Sequence, residues 1–185
     1  MAQQYDHISP ALQEFIEAQK LFFVGTAMSE GRVNVSPKGM DTLRVLDANR
    51  VLWLNLTGSG NETAAHLMHS NRITIMFCAF EGKPLILRLY GSAKVYHERD
   101  AEFHELSKLF PAMPGSRQLV EVQVELVQTS CGYGVPLMDF VAERETLRTW
   151  AESRSPERIR DYWASKNTVS LDGHPTNIFG PEADS

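Results

Sequence analysis

The feature that most constrains this chain is a succession of short β-type runs closed by turn residues, with almost no room between them for crossover helices. Leu21–Met28 (LFFVGTAM) is β-rich and too short for a helix, and Ser29-Glu30-Gly31-Arg32 turns it into a second run. There Val33 and Val35 alternate with Asn34 and Ser36, so one face is expected to pack into the core while the other presents polar groups ending at Lys38. Further strands are expected at Thr42–Leu46, Arg50–Leu56, Arg72–Ala79, Leu85–Val95 and Gln118–Gln128, the last with Val120, Val122, Val124 and Leu126 at every second position. Asp47-Ala48-Asn49 and Glu81-Gly82-Lys83-Pro84 supply turn chemistry between them. Six or more antiparallel strands with only short helices between them predict a small β-barrel with helices, an α+β fold. The strand–helix rhythm of a parallel dinucleotide fold is missing, and so is a GxGxxG loop.

Helices fit around this meander. Ser9-Pro10 is an N-cap followed by proline at the first helical position, and Leu12, Phe15 and Ile16 carry the apolar face to a stop near Lys20. A second helix is expected from Thr63 to Ser70, capped by Asn61 or Ser59, and a third at Asp100–Leu109, ended by Pro111 to Gly115. Met138 to Asn167 reads as two charged helices divided at Ser155-Pro156, followed by a Gly/Pro-rich tail without period. The expected organisation is a barrel domain over residues 1–137 and a helical extension with its tail, 138–185, packed on the barrel. The helices between Phe140 and Lys166 have two possible roles: packing on the outer face of the barrel, or capping a cleft of a partner subunit.

Composition narrows the function classes. With 43% hydrophobic and 22% charged residues in 185, the chain can bury a real core. A net charge of −5 argues against general nucleic-acid binding. No stretch reaches the roughly 18 consecutive apolar residues of a membrane span. MAQQYDHISP lacks the basic-then-apolar pattern of a secretory signal, and two cysteines make no disulfide framework. A soluble, cytoplasmic protein is the expectation.

Three features carry candidate chemistry. In TGSGNET (57–63) two glycines allow close backbone approach, the following helix presents unpaired N–H groups, and Ser59, Asn61 and Thr63 add donors, so the loop can hold a phosphate or serve simply as a turn. Asn34, Ser36 and Lys38 can line a groove for an anionic ligand or form a solvated strand face. Arg88, inside LILRLY, is costly in an apolar strand unless it pairs with a carboxylate such as Asp41 or faces an anion. Other pairings are less specific. His66 and His69 share a helix face without the further ligands of a closed zinc site. His97 and His104 read as a solvated helix surface, and Cys131 as a packed thiol in a tight turn.

Taken together, GRVNVSPKGMDTLRVLDANRVLWLNLTGSGNETAAHL (31–67), NRITIMFCAFEGKPLILRLYGSAKV (71–95) and SCGYGVPLMDF (130–140) resemble the pyridoxamine 5′-phosphate oxidase-like family of flavin-binding split barrels, over roughly Phe22 to Trp150. The resemblance implies a six-stranded antiparallel split barrel, a homodimer with FMN at the subunit interface, and an oxidoreductase acting on a small molecule. It implies flavin contacts from Asn34, Ser36 and Lys38, then from Asn55, Thr57, Asn61 and Thr63, with Arg88 as a basic residue before a Gly-containing turn. The sequence departs from the true pyridoxamine phosphate oxidases at the phosphate loop. Their Arg-Lys pair is replaced here by Glu62 and Thr63, and their C-terminal pyridoxal-holding segment has no counterpart. Hydride transfer at a flavin requires no side-chain base, so no catalytic residue is assigned. A deazaflavin in place of FMN stays open, as do two other classes: a haem-binding split barrel using His66, and a non-enzymatic flavin carrier or sensor.

Overall fold

The longest alternating runs in the sequence become the two longest strands, and the sheet is built outward from them. In the structure, a computed structural model that describes residues 2–180, β7 (Ile86–His97) and β8 (Ser116–Ser130) pair antiparallel from Ile86 opposite Ser130 to His97 opposite Gln118. The remaining strands are β1 (Gln3–Tyr5), β2 (Phe22–Thr26), β3 (Asn34–Lys38), β4 (Leu43–Asp47), β5 (Arg50–Leu56) and β6 (Arg72–Cys78). They add in the order β3-β2-β6-β7-β8-β5-β4, all antiparallel. The end strands β3 and β4 do not pair with each other, so the curled sheet stays split along that seam. Among the described residues there are eight strands where six were expected. The unforeseen β1 pairs with Val127–Thr129, the part of the β8 edge that the shorter β5 leaves open. Covering that edge removes a row of unpaired backbone groups, a reason that lies outside any pattern within Gln-Gln-Tyr itself.

The inner face is filled by Val24, Trp53, Ile75, Phe77, Leu87, Leu89, Val120 and Val122, with the Phe22 ring edge-on to Trp53 at 6.3 Å. Alternation sends Leu52, Leu54 and Leu119 to the opposite face, where Phe103 of α3 (Ala101–Leu106) and Phe110 cover them. β5 is therefore buried on both faces. Two helices begin as their caps dictate: Ser9 Oγ accepts from the Leu12 N–H at the start of α1 (Pro10–Ala18), and Ser155 Oγ from the Arg158 N–H at the start of α5 (Pro156–Lys166). Between them lie α2 (Glu62–His69) and α4 (Thr146–Glu152).

The helix expected from Met138 begins only at Thr146. The Met138 N–H donates to the Phe80 carbonyl at 2.9 Å and the Phe140 N–H to the Glu81 carboxylate at 3.1 Å, so this segment is tied to the β6–β7 loop in a non-helical path. Tertiary hydrogen bonds override its helix-compatible composition.

At the centre of the β7–β8 ladder, the register shifts between Tyr90 and Gly91, and a Cβ on Gly91 would lie 1.9 Å from the Gln123 carbonyl oxygen. Backbone cannot swing aside as a flexible side chain can. Gly91→Ala is expected to cost about 2–3 kcal/mol or more in urea unfolding; a loss below about 0.5 kcal/mol would show that the two strands do not meet this closely.

Candidate functional site

The end of β3, the end of β5 and the Gly-rich loop before α2 meet beside the open seam. They enclose a cleft of about 660 Å³ lined by Asn34, Ser36 and Lys38 of β3, Asn55 of β5, and Asn61, Glu62 and Thr63 of the loop and α2. Strand period explains the first three: side chains two apart share a face. The expectation for the other face is reversed, however. Val33 and Val35 point to solvent, 69% and 64% exposed, because β3 is the edge strand and its polar row faces inward. The Asn34 amide donates to Thr63 Oγ1 at 3.4 Å, tying β3 to α2.

Arg117, at the start of β8, was not foreseen as part of the cleft, yet it dominates the site's electrostatics. It is 3% exposed, and its Nη1 donates to the Gly60 carbonyl at 3.0 Å and to Asn167 Oδ1 at 2.7 Å. Its Nε is buried without a partner, as are Asn55 Oδ1 and Asn61 Oδ1. Burial pushes the Arg117 guanidinium down to about 10 and, with the charge of Arg117 added, the Lys38 ammonium down to about 8. Neither cation joins an ion pair among the described residues. Lys38 lies instead over the face of Trp53, 4.9 Å from the ring centre, which offsets part of its desolvation. Other charges around the cleft are already engaged. Arg32 bonds Asp172, and both Glu62 carboxylate oxygens accept from the Leu171 N–H at 3.1 Å, turning that carboxylate toward the tail.

The C-terminal segment is therefore a wall of its own chain's cleft, a third outcome beside the two roles considered for it. The Trp163 indole N–H donates to Thr57 Oγ1 at 2.8 Å, the Asn167 amide to the Gly58 carbonyl at 3.0 Å, and the Asn61 amide to the Asn167 carbonyl at 3.3 Å. Asn61 spends its side chain on this contact and does not cap α2. Thr57, whose hydroxyl also donates to the Gly115 carbonyl at 2.7 Å, is a structural post of the loop.

Two further spaces open from the same place. One, of about 720 Å³, is lined by Pro37, Met40, Phe140, Leu147, Trp150 and Tyr162, with Lys20, Glu143 and Arg144 at its rim. The other, of about 290 Å³, runs inward past Trp53, Asn55 and Arg117. Lys38 and Gly58 line all three, so the whole is a forked cleft with a cationic, polar arm and an aromatic, apolar arm.

Some sequence-predicted residues lie elsewhere. Arg88 sits mid-β7, its Nη1 3.3 Å from Ser130 Oγ and apart from the cleft, while Asp41 is bound by Arg44 at 2.6 and 2.9 Å. His66 is buried with Nδ1 3.1 Å from Thr26 Oγ1, so it offers no ligand to the cleft. His97 is not on a solvated helix: it ends β7, buried, held neutral by desolvation with its value lowered to about 4, and shares a chain of hydrogen bonds with Gln118 and Asn55. Cys131 is exposed, beside a turn in which Gly132 has φ +66°. Among the described residues, no group of three or more His, Cys, Asp or Glu side chains is placed to hold a metal ion.

The Lys38 burial has a definite sign. Unfolded lysine titrates near 10.5 and folded Lys38 near 8, so the folded chain bears the full cost of the buried ammonium below pH 8 and sheds it as pH rises to 10.5. Lys38→Met is expected to be more stable than the native chain below pH 8, with the gap in unfolding free energy narrowing across that window. A gap that stays constant would contradict the buried charge.

Comparison with known proteins agrees with the fold and places the chain. A family model described as pyridoxamine 5′-phosphate oxidase matches residues 8–131. A pyridoxamine 5′-phosphate oxidase family protein, ustO, from Aspergillus flavus is 34% identical, over 92% of this chain and 76% of its own length. Two solved structures share the fold alone. HupZ from Group A Streptococcus is 18% identical with a TM-score of 0.54, over 66% of this chain and 99% of its own. A candidate pyridoxamine 5′-phosphate oxidase from Lactobacillus delbrueckii is 17% identical with a TM-score of 0.53, over 66% and 94%. With two thirds of its length matched by the family model and a relative at this identity across nearly all of it, the chain belongs to the pyridoxamine 5′-phosphate oxidase family.

Proposed function

We propose that the chain is an FMN-binding flavoprotein, an oxidoreductase acting on a small molecule, with the cofactor held in the forked cleft. The observation that carries this reading is the joining, at Lys38, of a carboxylate-poor cationic arm and an aromatic arm. A flavin mononucleotide needs both: cations for a phosphate, polar groups for a ribityl chain, and apolar walls for a flat ring. The buried atoms without partners fit such a ligand. Asn55 Oδ1 and Asn61 Oδ1 await donors and Arg117 Nε awaits an acceptor, and a polyhydroxylated phosphate ester supplies both kinds. Bound flavin would supply the electron transfer itself. The residues of this chain would hold its charge through Lys38 and Arg117, meet its polar edge through Asn34, Ser36 and Asn55, and exclude water through Trp150 and Tyr162.

The same reading includes a homodimer. Val33, Val35, Leu137 and Val141 are large apolar side chains left more than half exposed on the edge strand and on the segment after β8. A second copy of this chain is the partner such a face fits in a family whose cofactor lies between subunits. Among the described residues, no helix is long and apolar enough to cross a membrane.

The test is an absorbance spectrum of the protein as purified, and again after addition of FMN and desalting, collected across a size-exclusion peak with a mass readout. Two flavin bands at about one flavin per chain, on a particle of twice 20.8 kDa, are expected. A colourless protein that releases all added FMN contradicts the flavin reading, and a deazaflavin shows itself by a single band at shorter wavelength.

A further inference from the structure

The Gly-rich loop presents Glu62 and Thr63 where an anion would be met, and neither brings positive charge. We propose that the anion anchor of the cleft is instead Arg117 of β8, for a phosphomonoester, and that Asn167 of the C-terminal segment is the positioning residue that holds its guanidinium without neutralising it.

The chemistry around Arg117 supports this assignment. A guanidinium buried for structure alone is ordinarily paired with a carboxylate, because an uncompensated charge is costly away from water. Here its two partners are neutral oxygens, the Gly60 carbonyl and Asn167 Oδ1. Its Nε keeps an unmet hydrogen-bonding capacity. A second cation, Lys38, lines the same space and feels the charge of Arg117. Two like charges held together with no counter-charge among the described residues are stabilised by an anion arriving from outside. Arginine also has the planar fork that matches phosphate geometry.

Asn167 is what keeps this charge available. It is fully buried, and all its side-chain capacity in the structure is directed at the site: Oδ1 to Arg117 and the amide to the Gly58 carbonyl. Its own carbonyl accepts from Asn61 and from Thr176 Oγ1, locking the segment to the loop. An aspartate here would form an ion pair with Arg117 and extinguish the anchor, whereas an amide orients it and leaves the charge whole. The C-terminal segment thus enters the binding site through the residue it holds, without needing to touch the ligand.

Naming the ligand as FMN rests on the flavin reading, so the experiment separates the two. The full chain is titrated with FMN and with riboflavin, which differ only in the phosphate. The native chain is expected to prefer FMN by about 10- to 100-fold. Arg117→Met should bind both at the riboflavin level. Asn167→Asp should do the same while keeping a cooperative melt, and a loss of packing alone would weaken both flavins together. If the native chain binds both flavins equally, or either variant keeps the preference, the anchor is wrong although the flavin reading stands. If neither flavin binds, the flavin reading fails, and inorganic phosphate decides the anchor by thermal shift. A rise in melting temperature in the native chain that Arg117→Met and Asn167→Asp both lose upholds it; an equal rise in all three, or none in the native chain, overturns it.

Discussion

Everything at the cleft depends on a guanidinium taken out of water without a carboxylate. Burying an unpaired ion costs several kcal/mol even after relaxation, an appreciable share of the ~5–15 kcal/mol by which a domain is stable. Arg117 meets that cost only in part, with a loop carbonyl and an amide oxygen. Lys38 adds a second charge in the same space, eased by the face of Trp53 and not by an acid. A fold selected for stability alone would place a leucine or an ion pair at such a position. The inference to a ligand runs from this observed expense, as it should where local strain and function coincide.

β8 is the element that couples this charge to the rest of the molecule. It pairs with β7 along one edge and with β5 and β1 along the other, so its start is fixed from both sides. Next to Arg117, Gln118 accepts from the Asn55 amide and donates to His97, extending a buried polar chain from the cleft to the far end of β7. From the outside, Trp163 and Asn167 pin the C-terminal helix and tail to Thr57 and Gly58. The loop is consequently held between the barrel and the C-terminal segment, and its glycines allow that close approach. The seam between β3 and β4 leaves the other arm of the fork open, lined by Phe140, Trp150 and Tyr162.

Much of this was legible in the residues. The strands from Phe22 to Thr129 follow from alternation and turn chemistry, and the motifs around TGSGNET brought Asn34, Ser36, Lys38, Asn55, Asn61 and Thr63 into one cleft. What escaped has physical reasons. A strand begun at Gln118 leaves Arg117 in a turn; begun at Ser116, as it is, the strand puts a cation on the buried face beside Leu119, the same warning that Arg88 gives. Asn167 ends a charged helix, and nothing local marks it as buried. The valines of β3 alternate as core residues do, yet an edge strand can turn that face outward, and only the position of the strand in the sheet decides. Likewise, β1 exists because β8 outruns β5.

The most direct test of the account is a crystal structure of the protein grown with FMN, read at the phosphorus. The expected result is a phosphate within hydrogen-bond distance of the Arg117 guanidinium, on the Lys38 side of the Gly-rich loop, with Asn167 still holding Arg117. A flavin whose phosphate lies elsewhere, with Arg117 bonded only to Gly60 and Asn167, would contradict the claim that this buried charge is there for an anion.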